Sequence, residues 1–198
     1  AGFAHVSCLA EEAKILIAEA EEKHLDAKAI TARLRRWQVC SLCEQDYHGV
    51  VACALGWAAW KTYVGRPEMD LSRCTAITVL GSGLTAAAHH EEALSVREVE
   101  LSMLQRLGGS KEAILIAQSN VANAYHYLGR AEEALRMRRE VYSRTLKLKG
   151  REDRDTFMAA NNYAWGLFAI QRFEETKTLM RKTVPLARRV LGEGHEYT

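Results

Sequence analysis

Proline is nearly missing from this chain, with two in 198 residues. Ala, Leu, Glu and Arg dominate, so little in the composition breaks a helix and the bias is helical throughout. The net charge is only +2, too small to argue for a nucleic-acid partner. No apolar run reaches the roughly 18 residues that a membrane helix needs. The best stretch, residues 50–60 (VVACALGWAAW), is too short and reads as a buried helix. The five cysteines are an odd number without an even framework, which predicts reduced thiols in a cytosolic or nuclear setting, with the cytoplasm as the expected location. The first residues (AGFAHVSCLAEEAK) carry neither the basic flank nor the cleavage-like end of a signal peptide. Both ends read as cuts through a longer protein. No phosphate-binding Gly loop is found, and no Ser/His/Asp or Cys/His arrangement that would serve catalysis. The chain is read as a binding surface rather than an enzyme.

What is present is a repeat. Residues 114–155 read ILIAQSNVANAYHYLGRAEEALRMRREVYSRTLKLKGREDRD, and residues 156–197 read TFMAANNYAWGLFAIQRFEETKTLMRKTVPLARRVLGEGHEY. Asn120 pairs with Asn162, Ala122 with Ala164, Arg130 with Arg172, Glu132-Glu133 with Glu174-Glu175, and Gly150 with Gly192. A fixed period of this size means stacked supersecondary units, each too small to bury its own apolar face. Gly65, Gly109, Gly150 and Gly192 each follow an amphipathic run and are expected to end helices at positive φ. Second breaks fall near Gly129 and near Gln171-Arg172. Each unit is therefore a helix pair: 113–128 with 132–149, and 154–170 with 173–191. An earlier pair is expected at 70–87 and 90–107, because HHEEAL at 89–94 aligns with RAEEAL at 130–135. The helix ending at Gly65 is the remainder of a degenerate unit.

The small residues Gly81, Ala122 and Ala164 are equivalent, as are Ala93 and Ala134, and mark close helix approach. These patterns resemble the tetratricopeptide repeat. The 42-residue form, with Asn-Asn or Ser-Asn in the first helix, Gly-Arg-x-Glu-Glu-Ala at the turn and Leu-Gly-x-x-His at the end, is similar to the kinesin-light-chain type. The resemblance spans about residues 70–198. It implies an all-α, right-handed superhelical solenoid of antiparallel helix pairs, with a lead helix at 49–64 and repeats at 70–109, 113–150 and 154–192. Arg97 and Arg138 depart from it, standing where that family has an apolar or aromatic residue. Thr176 replaces a small Ala, and Pro185 inside a helix predicts a bend.

A second signal lies upstream. His5-x-x-Cys8 and Cys40-x-x-Cys43 have the two-residue spacing that lets both side chains turn onto one tetrahedral metal. The flanks GFAHVSCLAEEA and RRWQVCSLCEQDYHG resemble the second half of a RING-CH (RING-variant) zinc finger, with Trp37 at the family's tryptophan. The resemblance implies that His5, Cys8, Cys40 and Cys43 are four of eight zinc ligands, within a segment 1–48 followed by the array 49–198. It also implies ubiquitin-ligase activity and a ubiquitin-conjugating enzyme as partner for an intact parent protein. Half a ligand set should bind zinc weakly. From spacing alone, Cys8 and Cys43 could equally be ordinary buried thiols.

Cys53, Cys74, Trp57 and Trp60 are expected in the core, and His48 at a helix start. The basic run 136–149 is diluted by Glu residues and reads as a solvated helix face. In stacked helix pairs the first helices line the concave face, where polar side chains hydrogen-bond an extended peptide and pockets choose its side chains. By register the exposed positions there are Ser82 and Thr85, then Ser119, Asn123 and His126, then Asn161, Trp165 and Phe168. Asn120 and Asn162 either face the groove or bridge adjacent repeats. Trp165 and Phe168 place apolar surface where solubility favours polar groups. The expected function is a scaffold that binds protein or peptide segments, with neither nucleic acid nor membrane as partner.

Overall fold

The computed structural model describes residues 5–195. The described residues form nine α-helices and one 3-10 turn, with no β-strand among them. The chain divides into two compact units, residues 1–103 and 104–198.

The first unit holds α1 (Val6–Glu22), α2 (Ala27–Leu34), the 3-10 turn Arg35–Trp37, α3 (Gly49–Tyr63), α4 (Leu71–Ala86) and all but the last turn of α5 (His90–Arg106). Two starts are fixed by aspartates. The Ala29 N–H donates to the Asp26 carboxylate at 2.8 Å, and the Arg73 N–H to Asp70 at 3.0 Å. Each satisfies a backbone donor that the first helical turn leaves unpaired. Ala13 and Ile17 of α1, Leu34, Trp37, Leu55 and Ala59 of α3, and Ala76 and Val79 of α4 form one core. Trp37 is 1% exposed and meets Tyr63 edge-on at 6.0 Å. Leu34 and Trp37 thus share a core with Leu55 and Ala59 of α3.

Helices α3 and α4 approach with backbone nearly touching. A Cβ on Gly83 would stand 2.4 Å from the Ala52 carbonyl oxygen, and one on Gly56 would stand 2.9 Å from the Leu80 Cα. Glycine is required at both. Gly81-Ser82-Gly83 is thus interior helix, as its register predicts, and not a phosphate loop. Trp57 is the exception to the expected core: it is 43% exposed, while Trp60 one turn on is half-buried.

The second unit holds α6 (Lys111–Tyr127), α7 (Ala131–Lys149), α8 (Arg154–Ala169) and α9 (Phe173–Leu191), each packed on the next in sequence. These agree with the predicted pairs to within two residues. The turns explain several repeated letters. Gly129 and Gln171 take positive φ (73° and 61°) between paired helices. In the next residue, Arg130 makes two bonds to Glu133 at 2.7 and 2.5 Å, and Arg172 makes two to Glu175 at 2.5 and 2.7 Å. Each clamp straps the entry of the second helix across its first turn. Gly150 and Gly192 end α7 and α9 at φ 89° and 90°, as expected. The other two glycine stops differ. Gly108 rather than Gly109 carries the positive φ, and α3 ends through Val64 in right-handed geometry without using Gly65. Helix α9 continues through Pro185 unbroken. Ala122, Ala134 and Ala164 are buried at the predicted close contacts.

Candidate functional site

On one side of the second unit, α6 and α8 flank a groove with a cavity of about 290 Å³. Ser119, Asn120, Asn123 and Asn162 give it polar lining, Ile116 and Met158 give it apolar walls, and Val141 and Thr145 of α7 form part of its floor. Asn120 and Asn162 both line the groove. The spacing explains why. Ser119, Asn123 and Ile116 lie three or four residues apart on α6, so they share one stripe, and Met158 and Asn162 do the same on α8. Glu112, Lys149 and Asp155 close one end, where Lys149 bonds to Asp155 at 2.5 Å.

One turn beyond Asn123 and Asn162, His126 and Trp165 continue the same two stripes. They meet edge-on at 6.0 Å, Trp165 stacks on Phe168 at 6.1 Å, and Phe168 meets Phe173 at 5.4 Å. Trp165 and Phe168 are each 53% exposed. The structure thus joins His126, Trp165 and Phe168 into an aromatic strip at the groove's other end. Asn161 is exposed beside Asn162 but does not line the cavity. Phe173 is the strip's fourth ring and was not anticipated. It opens α9, and the expectation drew only on first helices.

Beneath the groove lies Arg138 of α7, 5% exposed. Its Nη2 donates to the Asn123 Oδ1 at 3.1 Å, while its Nε and Nη1 are buried without a hydrogen-bond partner. Burial disfavours its charged form, with the Tyr127 side chain opposing that shift. Arginine carries donors only, so Asn123 must present its oxygen to Arg138 and its NH2 elsewhere. His126 is pushed below the ordinary histidine range, first by burial and then by the Arg138 charge.

In the first unit, His5 precedes α1 and Cys8 is exposed in its first turn. Cys40 and Cys43 sit on a reverse turn held by the Val39–Asp46 bridge and by the Cys40 N–H donating to the Gln45 carbonyl at 2.9 Å. The Leu42 N–H donates to the Cys40 sulfur at 3.4 Å. Backbone N–H groups of Cys43 and Leu42 and the Cys43 thiol favour the Cys40 thiolate. Cys8 and Cys43 are both exposed, so neither is an ordinary core thiol. The turn brings Cys40 and Cys43 together. Among the described residues no three His, Cys, Asp or Glu side chains gather as a metal site. The four residues named from the sequence thus do not form one zinc centre by themselves. Cys53 and Cys74 are half-buried, and His48 is the residue before α3.

Residues 114–155 and 156–197 each match the family model described as tetratricopeptide repeat. Both segments are thus similar to that repeat, and the groove lies between the first helices, α6 and α8, of the two matched segments. Solved structures extend the likeness in fold. BtubC (BKLC) from P. vanneervenii aligns with 98% of this chain at 15% identity and a TM-score of 0.57, and the chain spans 62% of its length. A Podosopora anserina protein described as a kinesin light chain with nearly identical TPR-like repeats aligns with 94% of the chain at 16% identity and a TM-score of 0.60. A point variant of that protein gives 15% and 0.61 over 96%. At these identities the likeness concerns fold alone. No curated protein matches the chain in sequence. No described helix is long and apolar enough to cross a membrane.

Proposed function

We propose that the chain is a protein-interaction scaffold whose α6–α8 groove binds an extended peptide segment of a protein partner. The observation that carries this reading is the convergence of Ser119, Asn120, Asn123 and Asn162 on one open groove with apolar walls and an aromatic end. Asn side chains both donate and accept, so they match the alternating N–H and C=O groups of an extended main chain without reading its sequence. Trp165 and Phe168 supply a desolvating anchor for one apolar side chain of the partner.

The test is selection of a displayed random octapeptide library on the whole chain, followed by affinity measurement. Trp165→Ala and Asn123→Ala should each weaken the selected peptides roughly tenfold, the size of an interface hot spot, with the helical circular-dichroism signal kept. Unchanged affinity in both variants would move the site elsewhere.

A second reading is limited to Cys40 and Cys43. Their turn, with an N–H on the Cys40 sulfur, supports these two thiols as half of a tetrahedral zinc set that needs two further ligands. His5 and Cys8 belong to a separate half-set in that reading. Recruitment of a ubiquitin-conjugating enzyme would require a complete finger and is not part of it. Zinc retained by the purified chain and lost in Cys40→Ser supports the half-site, whereas a chain purified in zinc-containing buffer without bound zinc overturns it.

A further inference from the structure

The two repeated segments differ at one exposed ion pair. In the segment 114–155, Glu140 accepts from Arg144 at 3.2 Å across one turn of α7. By repeat register these positions become Lys182 and Leu186 in α9. The salt bridge is thus replaced by a cation and an apolar side chain. Both line a cavity of about 640 Å³, a size within the roughly 300–1,000 Å³ of small-molecule sites. None of its lining residues lines the α6–α8 groove, so the two sites stand or fall separately.

Tyr142, Leu146, Pro185 and Leu186 give this cavity apolar walls, and Tyr142 is held by stacking on Tyr163 at 6.0 Å. Arg151, Arg181 and Lys182 are exposed at its rim. No carboxylate lines it, and none of the three cations has an ion-pair partner among the described residues. The neighbouring acids are taken: Glu152 accepts from Arg189, and Asp155 from Lys149. Thr156 and Thr183 already donate their hydroxyls to the Gly150 and Leu179 carbonyls, at 2.7 and 3.1 Å. The cavity therefore offers positive charge and apolar surface, with few neutral donors. Two guanidiniums and an ammonium match the three oxygens and double charge of a phosphate monoester better than the single charge of a carboxylate. A sugar or nucleotide would leave hydroxyls unmatched on Leu146, Pro185 and Leu186, whereas an alkyl chain gains by leaving water there. We propose that this cavity binds a single-chain lipid phosphate, with the phosphate at the Arg151–Arg181–Lys182 rim and the chain along the Leu146–Leu186 wall.

The test titrates the whole chain with octyl phosphate, below its micellar concentration, by calorimetry. Binding should be lost in the double variant Lys182→Glu with Leu186→Arg, which restores the ion pair of the preceding segment and should keep the fold. Arg151→Gln and Arg181→Gln should each weaken binding roughly tenfold, the worth of one charge-assisted hydrogen bond. Leu186→Ala should weaken octyl phosphate and leave the much weaker binding of inorganic phosphate unchanged; with Arg181→Gln it decides the matter if the double variant does not fold. No binding at millimolar octyl phosphate, or binding that survives the double variant, overturns the site. Inorganic phosphate bound as tightly as octyl phosphate overturns the lipid class. Phosphatidylcholine vesicles carrying phosphatidic acid are the second arm. A chain that stays in the supernatant supports the single-chain ligand, and sedimentation abolished by the double variant makes a bilayer headgroup the ligand and overturns it.

Discussion

Arg97 of α5 and Arg138 of α7 align by sequence register, and both are buried. Around Arg97 the chain closes its own network: Glu100 takes the charge, Ser82 takes a second donor, and the Thr78 hydroxyl donates to the other Glu100 oxygen. Around Arg138 it does not. Asn123 accepts from Nη2, Nε and Nη1 find no acceptor among the described residues, and Val141 stands where register puts the acid. One repeat is finished internally, and the other leaves an electrostatic demand under a groove. The difference lies in how the two cations are compensated: Arg97 has a carboxylate within reach and Arg138 has one neutral acceptor, and a buried charge without a counterion is costly.

The same substitution in the two repeats breaks this comparison most sharply. Arg97→Met strands the Glu100 carboxylate, which is 7% exposed, and should cost about 3–5 kcal/mol in urea unfolding. The two glycines give the next effect. Gly83→Ala drives a Cβ into the Ala52 carbonyl, a backbone atom that cannot step aside, and should cost about 1–3 kcal/mol by thermal unfolding. Arg138→Met removes a charge that has no counterion, so the lost Asn123 bond is largely offset and stability should change by less than about 1 kcal/mol. If Arg138→Met proves as damaging as Arg97→Met, the Asn123 bond and the packing of Arg138 matter more to stability than the missing counterion costs. Gly166→Ala should be milder still. Its Cβ would meet the Leu135 Cδ1 at 3.0 Å and the Arg138 Cδ at 3.3 Å, side-chain atoms that yield, and the gain of roughly 1 kcal/mol from alanine's helix preference opposes that crowding.

Much of this was legible in the residue order. The period gave the helix pairs of the second unit, the turns at Gly129 and Gln171, and the stripe of Ser119, Asn123, Asn162 and Trp165, because period and face are properties of spacing alone. Arg97 and Arg138 were visible as departures. Their opposite fates were not, although Glu100 lies three residues after Arg97 and Val141 three after Arg138. Whether a cation is satisfied depends on burial and on rotamers, which spacing does not supply. The upstream segment was less legible. Two helices and a 3-10 turn occupy residues 6–37, and Lys23-His24-Leu25-Asp26 breaks the run between the helices without Gly or Pro: His24 takes positive φ and Asp26 recaps. The glycine stops misled at Gly65 and Gly109, where the chain turns through neighbouring residues instead.

The smallest effect sharpens the comparison by pH. His126 lies against Trp165 at the end of the groove, and burial together with the Arg138 charge lowers its pKa in the folded chain. Protons therefore bind it more readily in the unfolded chain. Its contribution to stability is full above the ordinary histidine value of about 6.5 and is lost as pH falls through the lower folded value. No histidine stands beside Arg97 in the corresponding place, where register puts Thr85. Unfolding midpoints measured from pH 7.5 down to pH 5 should thus fall less steeply in His126→Gln than in the native chain. Arg138→Met should flatten the same slope in part, by removing the second cause and leaving burial. A slope that ignores both substitutions would mean that neither burial nor the Arg138 charge acts on His126, and that the aromatic strip stands apart from the arginine beneath the groove.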